Sequence, residues 1–128
     1  STKGALQFLQ AIDQTYALYH KPIWITEFAV GEQHMKLSMA DPTCAENTRN
    51  FLKIVLEGLN ARSYVERYAW FSFGSKDSRN GASALYDIST GEFTELGKLY
   101  SSVGIPAGYQ DDSVDVIKEN DIKDILIK

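Results

Sequence analysis

The chain has 128 residues, 44% of them apolar and 23% charged, with a formal net charge of −4. These values fit one globular domain and exclude a disordered or fibrous chain. Thirteen basic residues against 17 acidic ones, with no basic cluster, argue against a nucleic-acid surface or a polybasic membrane anchor, and no apolar run reaches the roughly 18–20 residues that a bilayer-spanning helix needs.

Residues 5–19 read as a helix, because Ala5, Phe8, Leu9, Ile12, Tyr16 and Tyr19 fall on one stripe at helical spacing. His20-Lys21-Pro22 ends it, since the residue before a proline is biased out of the helical region. Ile23 to Val30 is β-branched and aromatic with almost no polar alternation, the pattern of a parallel strand covered on both faces. Gly31 opens a loop that runs to Asp41-Pro42. Thr43 and Glu46 have capping-box spacing and predict the start of a second helix. Its buried stripe is Ala45, Thr48, Leu52, Val55, Leu56 and Leu59, and Arg49, Lys53 and Glu57 face water. A second doubly covered strand follows at Val65–Phe71, then a polar loop over 74–81 with a turn signal at Asn80-Gly81. Ala84–Asp87 and Glu92-Phe93 flank a short turn and predict a hairpin. Residues 94–100 predict a capped last helix, and Gly104–Gly108 closes the body.

This order of helices and strands is the grammar of β/α units around a parallel sheet. A two-stranded parallel sheet with both faces apolar leaves two unpaired edges, so the body reads as a section of something larger. Ser1-Thr2-Lys3-Gly4, without an initiator Met or a leader, fits a processed or an internal start. The charge deficit is uneven: residues 1–110 carry −1, whereas six acids and three lysines from Asp111 onward carry −3. The expected organisation is a body over 1–108 and an acidic tail or linker over 109–128, in which Val114, Ile117, Asp121, Ile125 and Leu126 hint at a weak amphipathic helix. Cys44 is the sole cysteine, so no internal disulfide forms.

Two residues carry the chemistry. Glu27 lies near the C-terminal end of an otherwise apolar strand, where a carboxylate is either solvated in a cleft for catalysis or holds a neighbouring Arg or backbone amide. Trp70 has the same placement on the next strand and is either a flat face for a sugar ring or a core tryptophan.

Lys21-Pro22-Ile23-Trp24-Ile25-Thr26-Glu27-Phe28, then Val65-Glu66-Arg67-Tyr68-Ala69-Trp70-Phe71, then Ala84-Leu85-Tyr86-Asp87 with Leu96-Gly97 and Tyr100, resemble the closing third of the Asl1-like glycosyl hydrolase catalytic domain. That is glycoside hydrolase family 128, a group of β-1,3-glucanases, and the resemblance covers roughly residues 5–103. It implies an α/β fold: the C-terminal part of a (β/α)₈ TIM barrel, strands seven and eight with flanking helices. A whole barrel of this kind takes about 250 residues. It also implies a retaining hydrolase with Glu27 as the strand-seven nucleophile. Trp70 would be the strand-eight aromatic at the subsite where the bond breaks, with Tyr68 and Phe28 completing the substrate-binding set. Retention requires two carboxyl groups about 5–5.5 Å apart, one attacking and one protonated. The family's second acid, a Glu at the end of strand four, has no counterpart in this sequence. Glu66 sits four residues before Trp70, roughly 13 Å down the strand, and reads as a charge-pairing residue near the barrel floor. Glu32 and Asp87 fall on loops that nothing fixes near the cleft.

The partner class implied is a β-glucan polysaccharide, with no nucleic acid, no membrane and a monomeric full-length enzyme. A polymeric substrate implies a secreted or cell-wall-associated protein. No cofactor or metal is expected, because His20 and His34 lack ligand spacing and no Gly-rich phosphate loop occurs. His34 and Met35 are loop residues that could border the cleft, and Cys44 lacks the constellation of a nucleophile. Two other readings stay open: a retaining barrel hydrolase acting on another β-glycan, and a non-catalytic glycan-binding or cell-wall protein that keeps the barrel rim.

Overall fold

The computed structural model describes residues 2–31 and 41–103. They form a mixed α/β arrangement of helix α1 (Thr2–Tyr19), strand β1 (Ile23–Phe28), helix α2 (Pro42–Asn60), strand β2 (Val65–Trp70), a short 3₁₀ turn (Gly81–Ser83) and helix α3 (Glu95–Val103). β1 and β2 are neighbours in a parallel two-stranded sheet, with α2 as the crossover that parallel pairing demands.

α1 buries Ala5 and Leu9, with Phe8 and Ile12 packed beside them, so the first part of the expected stripe faces the core, whereas Tyr19 at its end is 68% exposed and lies outside it. It stops at Tyr19, and His20 takes a left-handed φ of 49° that turns the chain toward Lys21-Pro22. α2 starts differently from the capping-box expectation. Asp41 is the N-cap, its Oδ1 accepting from the N–H groups of Thr43 (2.9 Å) and Cys44 (3.3 Å). Pro42 occupies the first turn, where its missing N–H costs nothing. Thr43 therefore lies inside the helix and cannot cap it. The buried stripe of α2 is Cys44, Thr48, Leu52, Val55, Leu56 and Leu59; Cys44 takes the place expected for Ala45, which is half-buried. α3 begins as expected, with Thr94 Oγ1 accepting from the Gly97 N–H at 3.0 Å.

Gly97 shows how closely α3 packs. A Cβ there would lie 1.9 Å from the Leu85 carbonyl oxygen, so only glycine lets the helix approach that backbone. The hairpin expected over 84–93 reduces to one antiparallel bridge, Tyr86 to Phe93, closed by the Asp87 N–H donating to the Glu92 carbonyl at 2.8 Å.

The strands are also shorter than their apolar runs, and their pairing is irregular. Ile23 pairs with Val65 but Trp24 with Arg67, so β2 carries one extra residue, Glu66, at its start. Ile25 pairs with Tyr68 but Phe28 with Trp70, so β1 carries one extra residue in the Thr26-Glu27 step. The two shifts have opposite sense, and the strands end level.

Both strands read as covered on two faces, and among the described residues only one face is covered. Ile25, Phe28 and Trp70 are buried with Leu9, Leu52, Val55, Leu56 and Leu59 in one core. Trp24 (60% exposed), Glu27, Arg67 and Ala69 are open.

Candidate functional site

Glu27 is exposed at the C-terminal end of β1, flanked by exposed Thr26 and buried Phe28. Two consecutive exposed residues break the strict alternation of a strand, and the extra residue of β1 falls at this step. Bulges of this kind re-aim a side chain and are enriched beside active sites. Ala69, exposed and small, precedes Trp70 on the neighbouring strand, leaving the space beside the carboxylate unobstructed by a large group from that position.

The strand ends are fastened from the other side. The Phe71 N–H donates to the Phe28 carbonyl at 2.8 Å, extending the ladder by one bond. Beyond it the chain loops out, with Asp77 Oδ1 accepting from the Arg79 (2.8 Å) and Asn80 (2.7 Å) N–H groups. Those two bonds hold the Asp77 carboxyl below the ordinary aspartate range. The 3₁₀ turn then returns beneath the strand ends, where the Ser83 hydroxyl donates to the Val30 carbonyl and the Ser83 carbonyl accepts from Trp70 Nε1 at 2.8 Å.

Trp70 consequently does not offer a stacking face in this arrangement. It is 6% exposed, edge-on to Phe28 at 5.2 Å and 6.4 Å from the Phe51 ring, with its single donor satisfied. Phe28, 7% exposed, is stacked on Phe8 at 5.4 Å and is likewise a core residue. Tyr68 is half-buried and donates its hydroxyl to Asn60 Oδ1 at 2.8 Å. Burial, with Tyr100 nearby, pushes its pKa up, and the Asn60 bond opposes this only in part. The three aromatics expected to bind substrate thus pack toward the helices. The exposed aromatic at this end of β2 is Phe71, 43% exposed, which the sequence reading passed over. The signal that could have found it is alternation: if Trp70 faces the core, the next residue faces out.

Glu66 is exposed, and its Oε2 accepts from Trp24 Nε1 at 2.8 Å, so its partner is an indole rather than the expected cation. The Arg67 guanidinium lies 5.5 Å from the centre of the same Trp24 ring. Asp87 is spent on its own turn, accepting from the Ser89 N–H at 2.6 Å. Cys44 is buried. Glu32, His34, Met35, the closing segment over 104–108 and the tail from 109 onward lie outside the described residues. Among the described residues no group of three or more His, Cys, Asp or Glu side chains could hold a metal ion, and no helix is long and apolar enough to cross a membrane. A groove of about 1050 Å³ runs past Trp24, Thr26, Glu66, Tyr68, Phe93 and Tyr100 without reaching Glu27. It is the uncovered flank of the sheet and α3, so size alone does not locate the chemistry here.

Fold and site define a mixed α/β protein with an exposed carboxylate at the C-terminal end of a parallel strand. Residues 2–100 match the family model described as glycosyl hydrolase catalytic core, and the chain belongs to that family. The fold is similar to a GH128 (subgroup I) endo-β-1,3-glucanase from Amycolatopsis mediterranei, with a TM-score of 0.62 and 28% identity over 81% of this chain and 40% of that one. A GH128 (subgroup II) endo-β-1,3-glucanase from Sorangium cellulosum is 28% identical with a TM-score of 0.56, covering 80% of this chain and 35% of that one. A subgroup V exo-β-1,3-glucanase from Cryptococcus neoformans shares the fold at 19% identity and a TM-score of 0.62, over 80% of this chain and 41% of that one. The Amycolatopsis protein has also been solved in complex with laminarihexaose. No curated protein matches the chain. These findings are consistent with a GH128 catalytic domain, and the chain spans about two fifths of the length of these glucanases.

Proposed function

We propose that this chain is the C-terminal section, strands seven and eight, of a (β/α)₈ glycoside hydrolase that cleaves β-1,3-glucan with retention of configuration. The observation that carries the proposal is the exposed carboxylate of Glu27 at the C-terminal end of β1, set at the extra residue of that strand. Similarity to GH128 endo-β-1,3-glucanases, one of them holding laminarihexaose, supports the substrate class.

In this mechanism Glu27 attacks the anomeric carbon as its carboxylate while a protonated partner gives its proton to the departing glycosidic oxygen. A glycosyl ester of Glu27 results. Water, deprotonated by the same partner, then displaces Glu27 and restores the starting configuration. The partner carboxyl is supplied from outside the described residues: Glu66, the other acid on a strand, is committed to Trp24 toward the opposite end of the sheet. The body over 1–108 forms the barrel section, and 109–128 is an acidic tail or linker. The enzyme acts as a monomer, without metal or cofactor, outside the cell or at the cell wall where such polymers occur.

The test is reducing-sugar release from laminarin by the intact protein carrying this chain, compared with its Glu27→Gln variant. Glu27→Gln lowers kcat by on the order of a thousandfold or more with folding unchanged. Equal rates in the two proteins overturn the nucleophile assignment.

A further inference from the structure

Resting on the glucanase proposal, we infer that Phe71, directly after β2, rather than Trp70, is the sugar-stacking residue at this end of the sheet, and that Phe73 is the prop that holds it. Burial and hydrogen bonding separate the two neighbouring aromatics. Trp70 is 6% exposed with its indole N–H bound to Ser83, whereas Phe71 is 43% exposed. Successive residues of a strand point to opposite faces. Phe28 and Trp70 are paired and both buried, so the exposed neighbours Glu27 and Phe71 share the open side at the same end of the sheet. The Phe71 N–H bond to the Phe28 carbonyl fixes that level, because it ties Phe71 to the residue directly after Glu27.

The ring is also held in place. Phe71 and Phe73 meet edge to face, with centroids 4.9 Å apart and planes at 69°. Two ring carbons of Phe73 lie 3.7 Å from where a Cβ on Gly31 would be, so Phe73 packs beside the chain three residues past the end of β1. An aromatic face held this way loses little freedom when a ligand covers it. The apolar C–H face of a glucopyranose carries slight positive charge and meets the negative face of the ring quadrupole. The ligand class is therefore a β-linked glucosyl unit whose anomeric carbon lies toward Glu27.

Binding is read by calorimetry with laminarihexaose, using the intact protein carrying Glu27→Gln so that the ligand survives. Adding Phe71→Ala weakens binding about tenfold, since both apolar contact and the ring face go. Phe71→Leu, which keeps an apolar side chain of similar bulk, is weakened nearly as much, and Phe71→Trp binds within about twofold of the parent. In the otherwise native protein, Phe71→Ala raises KM for laminarin more than it lowers kcat. Wild-type affinity and KM in both Phe71→Ala and Phe71→Leu overturn the platform and leave the glucanase proposal standing. Undiminished hydrolysis by Glu27→Gln overturns the nucleophile whatever Phe71 does. A folded Glu27→Gln protein that ignores laminarihexaose overturns both.

Discussion

On its helix side the sheet presents Ile25, Phe28 and Trp70, each under a tenth exposed and joined in one core with Leu52, Val55 and Leu56. On its open side lie Trp24, Glu27, Arg67 and Phe71, with Trp24 60% exposed. The helix side contributes stability, because burial of aromatic area is its main content. The open side holds the exposed acid, the cation and the accessible rings. If Glu27 acts as proposed, fold and chemistry are divided between two faces of the same two strands, and a substitution moves one property or the other.

The strongest test of that division is Trp70→Ala. Removing a buried indole from among Phe28, Phe51 and Ser83 costs about 3–5 kcal/mol of stability, read as a lowered urea midpoint of the intact protein. A Trp70→Ala protein of native stability that has lost its affinity for glucan would reverse the roles of the faces. A gentler probe is Thr48→Val, in the middle of α2. Thr48 Oγ1 is buried and lacks a hydrogen-bond partner among the described residues, so replacing the hydroxyl with a methyl group stabilises by about 1 kcal/mol. That gain appears as a higher urea midpoint with KM for laminarin unmoved; a destabilised variant would mean that the hydroxyl is engaged.

The smallest effect concerns the ends of the helix layer. Arg62 joins α2 to α1 by donating from Nε and Nη2 to the two carboxylate oxygens of Asp13, both at 2.7 Å, and from Nη1 to the Gly58 carbonyl at 2.6 Å. The guanidinium holds the Asp13 carboxyl below the ordinary aspartate range. A depressed carboxylate pKa adds stability above the unfolded-state value of about 3.9, and this is lost as pH falls through the folded value. Asp13 is about half exposed, so the pair contributes about 1 kcal/mol or less. Asp13→Asn should therefore lie slightly below the native protein at pH 7 and converge with it under acid, the gap closing from about pH 5 downward. Asp77 and Glu95 are also held low, and both remain in the variant, so the difference between the two unfolding curves isolates Asp13. A constant gap from pH 7 to pH 3 would refute the assignment.

Much of this was legible in the residues. The stripes of α1 and α2, the two apolar strands and the Thr94 cap of α3 follow from local spacing, because helical periodicity and capping chemistry are local. The family resemblance led to Glu27, and the structure leaves that carboxylate open. Less legible was the face on which each strand residue falls. The run Val65–Phe71 has no clean alternation, and one extra residue reverses the face of all that follows. Trp70 reads as a rim aromatic from its place at the strand end and from the resemblance, and neither of these fixes its face. The cap of α2 was missed for a different reason: Asp41-Pro42 is both a turn signal and a good helix start, and only the acceptor geometry at Asp41 decides between them.

The opposed shifts in β1 and β2 have one more consequence. Glu66 advances the phase of β2 by one residue, and the Thr26-Glu27 step returns it, so the offset is confined to Trp24–Ile25 and the residues opposite them. Glu66 also holds Trp24 across the strands, which ties the start of this slipped stretch to a side-chain bond. The two strands therefore leave the sheet in the same phase in which they enter it, with Phe28 level with Trp70. Deleting Thr26 would leave Ile25, Glu27 and Phe28 opposite Tyr68, Ala69 and Trp70, in regular alternation with the carboxylate still on the open face.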